Sequence, residues 1–269
     1  MSLAATCLEN CKVSFADYQE NVTLYIRSFP VISNSKLTHD THQIKVALPP
    51  STTLGMTVAS CLTIRANIDG NVVARPYTPV STKDQKDYAE FIIKAYPPRT
   101  DDKPGGMGRH LINLKEGDAI EMKGPWSKHQ YVPNSFNKVI MIAGGTGITP
   151  CLQVITEILS NSNDKTDVVL IYANKTEGDI IVREMLDDLS RKHQNFSLLY
   201  TLEKPPEKWA GEVGYVDESM IRKANSLGNQ AQGGDITFVC GPPPMMESVC
   251  GAKGPKGSQG EVGGILKKM

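Results

Sequence analysis

The chain has 269 residues, 40% of them hydrophobic, with 29 basic and 29 acidic side chains. That length suits two domains with sizeable cores, and the balanced charge gives no support to a nucleic-acid binder. Cys7, Cys11, Cys61, Cys151, Cys240 and Cys250 show no C-x-x-C spacing and complete no zinc cluster, so reduced thiols and a cytosolic-type compartment are expected.

The first half reads as strands. Residues 25–33 and 42–48 are rich in β-branched and aromatic side chains, the second with alternation at Ile44, Val46 and Leu48. Residues 61–68 alternate again, and Asp69-Gly70-Asn71 turns them back into 72–75 as a hairpin. Another strand covers 90–96 and stops at Pro97-Pro98; after the Glu116-Gly117-Asp118 turn a short one covers 119–123. Short strands at regular spacing predict an antiparallel β-barrel.

The period then changes. Val139-Ile-Met-Ile-Ala143 is a continuous apolar run, as a buried parallel strand requires. A helix carrying Leu152, Ile155, Ile158 and Leu159 follows, then a strand at 168–173, a helix at 179–193, and strands at 197–202 and 236–240. This alternation predicts a doubly wound parallel α/β domain. The expected division is a barrel at 1–124, a linker at 125–137 and an α/β domain at 138–269, with a Gly- and Lys-rich loop at 251–264.

Three motifs carry chemistry. Gly144-Gly-Thr-Gly-Ile-Thr-Pro150 joins a buried strand to a helix, so Gly144, Gly145, Thr146 and Gly147 can bring backbone N–H groups to a phosphate. Thr149 reads as the helix N-cap and Pro150 as its first residue. It is neither the standard dinucleotide fingerprint, since Pro150 stands where the third glycine belongs, nor a P-loop. A tight turn without a ligand remains the plain alternative. In Arg75-Pro-Tyr-Thr-Pro-Val-Ser81, Arg75 offers a guanidinium fork for phosphate, Tyr77 a ring for stacking and Thr78 a hydroxyl for a ring heteroatom. Pro76 and Pro79 hold the backbone extended. The alternative is an edge-strand end with an exposed arginine. Cys240-Gly-Pro-Pro-Pro-Met245 lies beyond a strand of the α/β domain, where such sheets bind ligands. Cys240 is either a small polarisable group beside a ring or an inert packed thiol, and the three prolines that follow Gly241 read as a rigid loop.

In identity, order and spacing, the three motifs together resemble the cytochrome b5-reducing branch of the ferredoxin-reductase-like flavoenzymes, over about residues 25–250. The resemblance implies an enzyme holding FAD in the barrel. NADH would give the flavin a hydride, and electrons would leave singly to cytochrome b5. By the same resemblance Arg75 neutralises the FAD pyrophosphate, Tyr77 packs on the flavin and Thr78 bonds near its N5, with Pro76 and Ser81 completing the motif. Ile92, Lys94 and Tyr96 match the next FAD-binding strand, and Gly105, Met107 and Gly108 the pyrophosphate loop. Gly108 stands where the family carries serine, which removes a hydroxyl donor that Arg109 could replace. Thr149 would also reach the flavin.

On the nicotinamide side fall Gly144, Gly145, Thr146 and Gly147. Cys240 would stand near the hydride-donating carbon, with Gly241, Pro242 and Met245 around it. Residues 172–179 resemble the adenosine-side segment. Glu203 falls where relatives carry an acid that disfavours NADPH; a solvated strand-end charge is its plain reading. Lys94, Lys123 and Lys128 are candidates for meeting an acidic cytochrome face. Two further departures are Ala59-Ser60-Cys61 in place of Gly-Gln-His, and an end at Lys267-Lys268-Met269 where the family has an aromatic-rich strand.

Other acceptors stay open: a quinone, a ferric chelate, a desaturase-type partner or ferredoxin/flavodoxin. So does a non-catalytic nucleotide-binding module. A monomer is expected. No apolar run is long enough to span a bilayer, and the first residues form neither a secretory signal nor a myristoylation site. The expected location is the cytoplasmic side, with any membrane attachment through an anchor outside this chain.

Overall fold

The computed structural model describes residues 25–96, 106–228, 235–254, 258 and 260–269. They fall into two compact units, one within 8–130 and the other within 131–269.

In the first unit, β1 (Arg27–Lys36), β2 (Thr41–Ala47), β3 (Ser60–Ile68), β4 (Asn71–Tyr77), β5 (Tyr88–Lys94) and β6 (Ala119–Ser127) form one antiparallel sheet in the order β4-β3-β6-β1-β2-β5. Ile68 pairs with Asn71 across Asp69 and Gly70, whose φ values are 52° and 78°. Both turn residues are left-handed, which matches the twist of a two-residue hairpin. The sheet curls around a core of Val31, Ile44, Val46, Ile64, Phe91, Ile93 and Met122. It is a half-barrel whose outer strands are β4 and β5. The short helix α1 (Met107–Ile112) inserts Met107 and Leu111 into this core. Asn34 ties down its last turn by donating to the carbonyls of Ile112 (3.0 Å) and Leu114 (2.7 Å).

In the second unit, β7 (Lys138–Gly144), β8 (Asp167–Asn174), β9 (Phe196–Leu202), β10 (Glu212–Val213) and β11 (Asp235–Cys240) form a parallel sheet in the order β10-β9-β8-β7-β11. Helices α4 (Glu218–Ser226) and α5 (Pro243–Cys250) cover one face, packing Met220, Ile221, Ala224, Met246 and Val249 on Ile140, Ile142, Val169, Ile171 and Val239. Val168, Leu170 and Tyr172 are just as buried on the other face. There α2 (Ile148–Ser160) packs on β7 and β11, and α3 (Arg183–Lys192) on β9. Burial on both faces is why the strands read as unbroken apolar runs. The strand order reverses between β7 and β11, the crevice where open α/β sheets take ligands.

Some local expectations are corrected. Thr149 is not the N-cap of α2. A 3-10 turn over Gly145–Gly147 runs straight into the helix, and Gly147 is already helical at φ −60°, ψ −9°. The Thr149 hydroxyl instead bonds back to the Thr146 carbonyl at 3.2 Å. The helix expected from 179 begins at Arg183, because Val182 has φ 53° and breaks the turn. The three prolines after Gly241 are not all loop: Pro243 opens α5, where a missing N–H costs nothing. The last residues return to α5, with Gly263 N–H on the Cys250 carbonyl and Ile265 N–H on that of Ser248.

Candidate functional site

Arg75, Pro76 and Tyr77 end β4, and Pro76 is tolerated because β4 is an edge strand. Arg75 and Tyr77 share the face of Val73, which enters the core. The chain then crosses to the opposite edge. Val80 N–H donates to the Glu90 carbonyl at 2.8 Å, and Glu90 N–H donates to the Ser81 hydroxyl at 3.2 Å. Thr78 and Pro79 therefore bridge the two outer strands of the half-barrel, and Ser81 fixes the bridge.

Arg75 is exposed and bonds the Ala74 carbonyl at 2.9 Å through one nitrogen, which leaves most of its fork outward. Burial pushes the Tyr77 phenol up to about 12, against a smaller downward pull from Arg75 and with an upward one from Tyr96. Those three side chains are thus electrostatic neighbours.

On β5, Ile92 is buried but lies outside the barrel core, on the strand face of Lys94. Lys94 holds Asp40 at 3.1 Å and is itself mostly buried. Tyr96 is exposed. Gly105 lies outside the described residues; Gly106 takes φ 104° as the cap of α1. The Arg109 guanidinium folds back over Gly106, where an added Cβ would stand 3.1 Å from Nη2. At Gly108 a Cβ would meet the Lys94 carbonyl oxygen at 2.5 Å. Helix α1 lies so close to β5 that the serine implied here by the resemblance does not fit unless the helix moves.

These donors suit FAD: two guanidinium groups for a pyrophosphate and a half-buried tyrosine ring for a planar system.

The second group of motif residues surrounds the crevice between β7 and β11. Gly147 makes the closest approach: its Cβ would lie 2.0 Å from the Cys240 carbonyl oxygen and 2.5 Å from its carbon. At Gly144 a Cβ would meet Met245 Sδ at 2.8 Å and Pro242 Cδ at 2.9 Å; at Gly241 it would meet Met245 Cε at 2.4 Å. The glycine-rich turn and the Cys-Gly-Pro segment, remote in sequence, are therefore in backbone contact. Tyr172 supports them from below, donating from a fully buried position to the Gly145 carbonyl at 3.0 Å. Gly145 takes φ 53°. Thr146 is half-buried beside it, and Cys240 is half-buried at the strand end. Cys151, fully buried, donates to the Gly147 carbonyl at 3.5 Å; burial first, then Cys240, pushes its thiol well up. Cys151 is packing, and of the two only Cys240, at the strand end, is partly exposed.

Glu203 is exposed just past β9, its N–H on the Asn174 carbonyl at 3.1 Å and its carboxylate 3.4 Å from the Tyr215 hydroxyl. Beside it stands a cluster that the sequence reading missed. The Arg183 guanidinium lies over the rings of Tyr200 (5.9 Å) and Trp209 (5.7 Å), and pairs with Glu177 and Asp187. The Tyr200 hydroxyl donates to Asp187 at 2.8 Å, and burial followed by that bond pushes its pKa far up. The cluster holds the loop between β9 and β10, which carries Glu203. The only signal in sequence was Arg183 with Asp187 four residues on, too common to single out.

Residues 28–131 match the family model described as oxidoreductase FAD-binding domain, and 141–251 that described as oxidoreductase NAD-binding domain. An NADH-cytochrome b5 reductase-like protein of Arabidopsis thaliana is 42% identical over 247 residues, which cover 90% of this chain and 73% of the relative. NADH-cytochrome b5 reductase 2 of Yarrowia lipolytica is 42% identical over 240 residues, 88% of this chain and 80% of the relative. Among solved structures, the cytochrome b5 reductase domain of Ulva prolifera nitrate reductase superposes with a TM-score of 0.76 at 29% identity, over 88% of this chain and 97% of its own. A ferredoxin NADP+ reductase from Neisseria gonorrhoeae, at 17% identity and TM-score 0.62, covers 82% of this chain and 87% of its own and shares the fold.

Proposed function

The chain belongs to the NADH-cytochrome b5 reductase family of FAD- and NAD-binding oxidoreductases, and on that premise we propose that cytochrome b5 is its electron acceptor. It is an NADH-dependent FAD enzyme. FAD, when bound, takes up a hydride from NADH and releases electrons one at a time. The protein's part is binding, orientation and charge.

Arg75 and Arg109 neutralise the FAD pyrophosphate. Tyr77 packs on the ring system, and Thr78, held across the outer strands, presents its hydroxyl to it. Pro76, Ile92, Lys94, Tyr96, Met107 and the glycines at 105 and 108 shape the rest, with Ser81 as a brace. Gly144, Gly145, Thr146 and Gly147 offer backbone N–H groups to the NADH pyrophosphate at the start of α2. Cys240 stands beside the nicotinamide, with Gly241, Pro242 and Met245 holding it there, and Thr149 keeps the helix end in place. Glu203 opposes the extra phosphate of NADPH; like charges ~4 Å apart in water repel by about 1 kcal/mol, roughly fivefold in affinity. The domain boundary belongs within 125–137. A monomer at the cytoplasmic side of a membrane completes the proposal; no described helix is long and apolar enough to cross a membrane.

The observation that carries the nicotinamide site is the backbone contact of Gly147 with Cys240 at the strand-order reversal. For the acceptor, Lys94 is engaged with Asp40 and Lys123 lies 5.7 Å over the Trp126 ring. Any electrostatic steering therefore comes from cations other than Lys94, with Lys123 and Lys128 among them, since a ring leaves the lysine charge in place. The test is NADH-driven reduction of cytochrome b5 at low and high salt. Reduction that slows as salt rises is expected. Rapid ferricyanide reduction with no cytochrome b5 reduction would remove this acceptor and favour a quinone, a ferric chelate or ferredoxin/flavodoxin.

A further inference from the structure

Asn34 on β1 and His42 on β2 lie outside the three motifs, yet both are tied to helix α1. A bulge in β1 turns Asn34 inward. Val31 pairs with Val46, Ser33 with Lys45 and Asn34 with Ile44, so β1 advances two residues where β2 advances one. The extra residue exchanges the faces of those after it, and Asn34 rather than Ser33 comes to stand across from the core residue Ile44. Its carboxamide then meets the last turn of α1. Nδ2 donates to the carbonyls of Ile112 (3.0 Å) and Leu114 (2.7 Å), with that of Leu111 at 3.5 Å, so Oδ1 points the other way. There it lies 2.8 Å from His42 Nδ1. An amide oxygen only accepts, so His42 donates and carries a proton on Nδ1.

The other end of α1 is closely confined. An added Cβ at Gly108 would stand 2.5 Å from the Lys94 carbonyl oxygen. The next residue, Arg109, folds its guanidinium over Gly106, and its carbonyl accepts from Asn113 Nδ2 at 2.8 Å. The helix has only 6 residues. A helix this short does not hold itself in place, and a shift of its last turn is a shift of Arg109.

We propose that Asn34, oriented by His42, is a positioning residue for FAD: it fixes the end of α1 and so holds Arg109 and Gly106–Gly108 at the FAD pyrophosphate. This rests on the reading that Arg109 neutralises that pyrophosphate.

The test is a competition on the holoenzyme. FAD-loaded wild type, Asn34→Ala and Arg109→Ala are each equilibrated with excess riboflavin, which lacks the phosphates, and the FAD released is measured beside thermal unfolding. Asn34→Ala is expected to lower the preference for FAD over riboflavin by ~10-fold, the scale of one hydrogen bond to a charged group. A merely structural asparagine loosens both flavins alike: the unfolding temperature falls and the preference stays at the wild-type value. That result overturns the proposal. If Asn34→Ala does not fold, His42→Phe, which keeps Asn34 but removes its orienting donor, is read by the same competition. A lower preference for FAD is expected there too, and an unchanged one overturns the proposal equally. Arg109→Ala with the wild-type preference would instead defeat the reading that Arg109 holds the pyrophosphate, and this inference with it.

Discussion

Gly147→Ala is the most informative substitution in the nicotinamide site. Its new Cβ would lie 2.0 Å from the Cys240 carbonyl oxygen, whereas ordinary contact begins at 3.4 Å. The neighbour is backbone, so no side-chain rotation relieves the overlap. The start of α2 and the end of β11 must separate by about 1.4 Å. Overpacking of this kind costs about 1–3 kcal/mol in stability. The functional loss is larger, because ~1 Å of misplacement at a reacting centre costs on the order of 10²-fold in rate. The two segments that move are those proposed to hold the NADH pyrophosphate and to flank the nicotinamide. Anaerobic stopped-flow reduction of bound FAD by NADH reads the loss directly, and urea unfolding reads the stability. FAD content should stay at the wild-type level, since the residues proposed for FAD in the other unit are untouched. A Gly147→Ala protein with reduction within ~2-fold of wild type and unchanged unfolding would refute the reasoning.

Gly108→Ser is expected to weaken FAD retention, because its Cβ meets the Lys94 carbonyl at 2.5 Å; tighter retention on a desalting column would contradict this. Asp217 caps α4 by accepting from Met220 N–H at 2.9 Å and from the Ser219 hydroxyl at 2.7 Å. These bonds, the Met220 one first, hold its carboxyl below the usual carboxylate range. Asp217→Ala should therefore cost ~1 kcal/mol at neutral pH. Because the folded-state pKa is depressed, this stabilisation is fully present above the unfolded value of about 3.9 and is lost as pH falls through the folded one. Denaturant unfolding of both proteins at pH 7 and under acid conditions checks it, and a pH-independent difference would count against the cap.

The elements that were legible in sequence had one dominant local signal. The run Val139–Ala143 needed burial on both faces, and Asp69-Gly70 needed a left-handed turn; both are found so. Helix α5 was hidden because Pro242, Pro243 and Pro244 read as loop, although a proline suits the first helical position. Thr149 was misread as a cap because a 3-10 turn ahead of α2 shifts the helix start, and sequence carries no mark of that shift. The glycines of 144–147 were visible, but what they approach was not. Only the folded chain places Gly147 on Cys240 and Gly144 on Met245. The Arg183, Tyr200 and Trp209 stack and the bond between His42 and Asn34 likewise depend on contacts between separate elements.

The central claim is that NADH reduces FAD held by this chain. Anaerobic mixing of the FAD-loaded protein with NADH, and separately with NADPH, tests it most directly. Rapid bleaching of the flavin absorbance by NADH, and much slower bleaching by NADPH, is the predicted result. A protein that takes up no FAD, or whose bound FAD stays oxidised in excess NADH, would contradict the account.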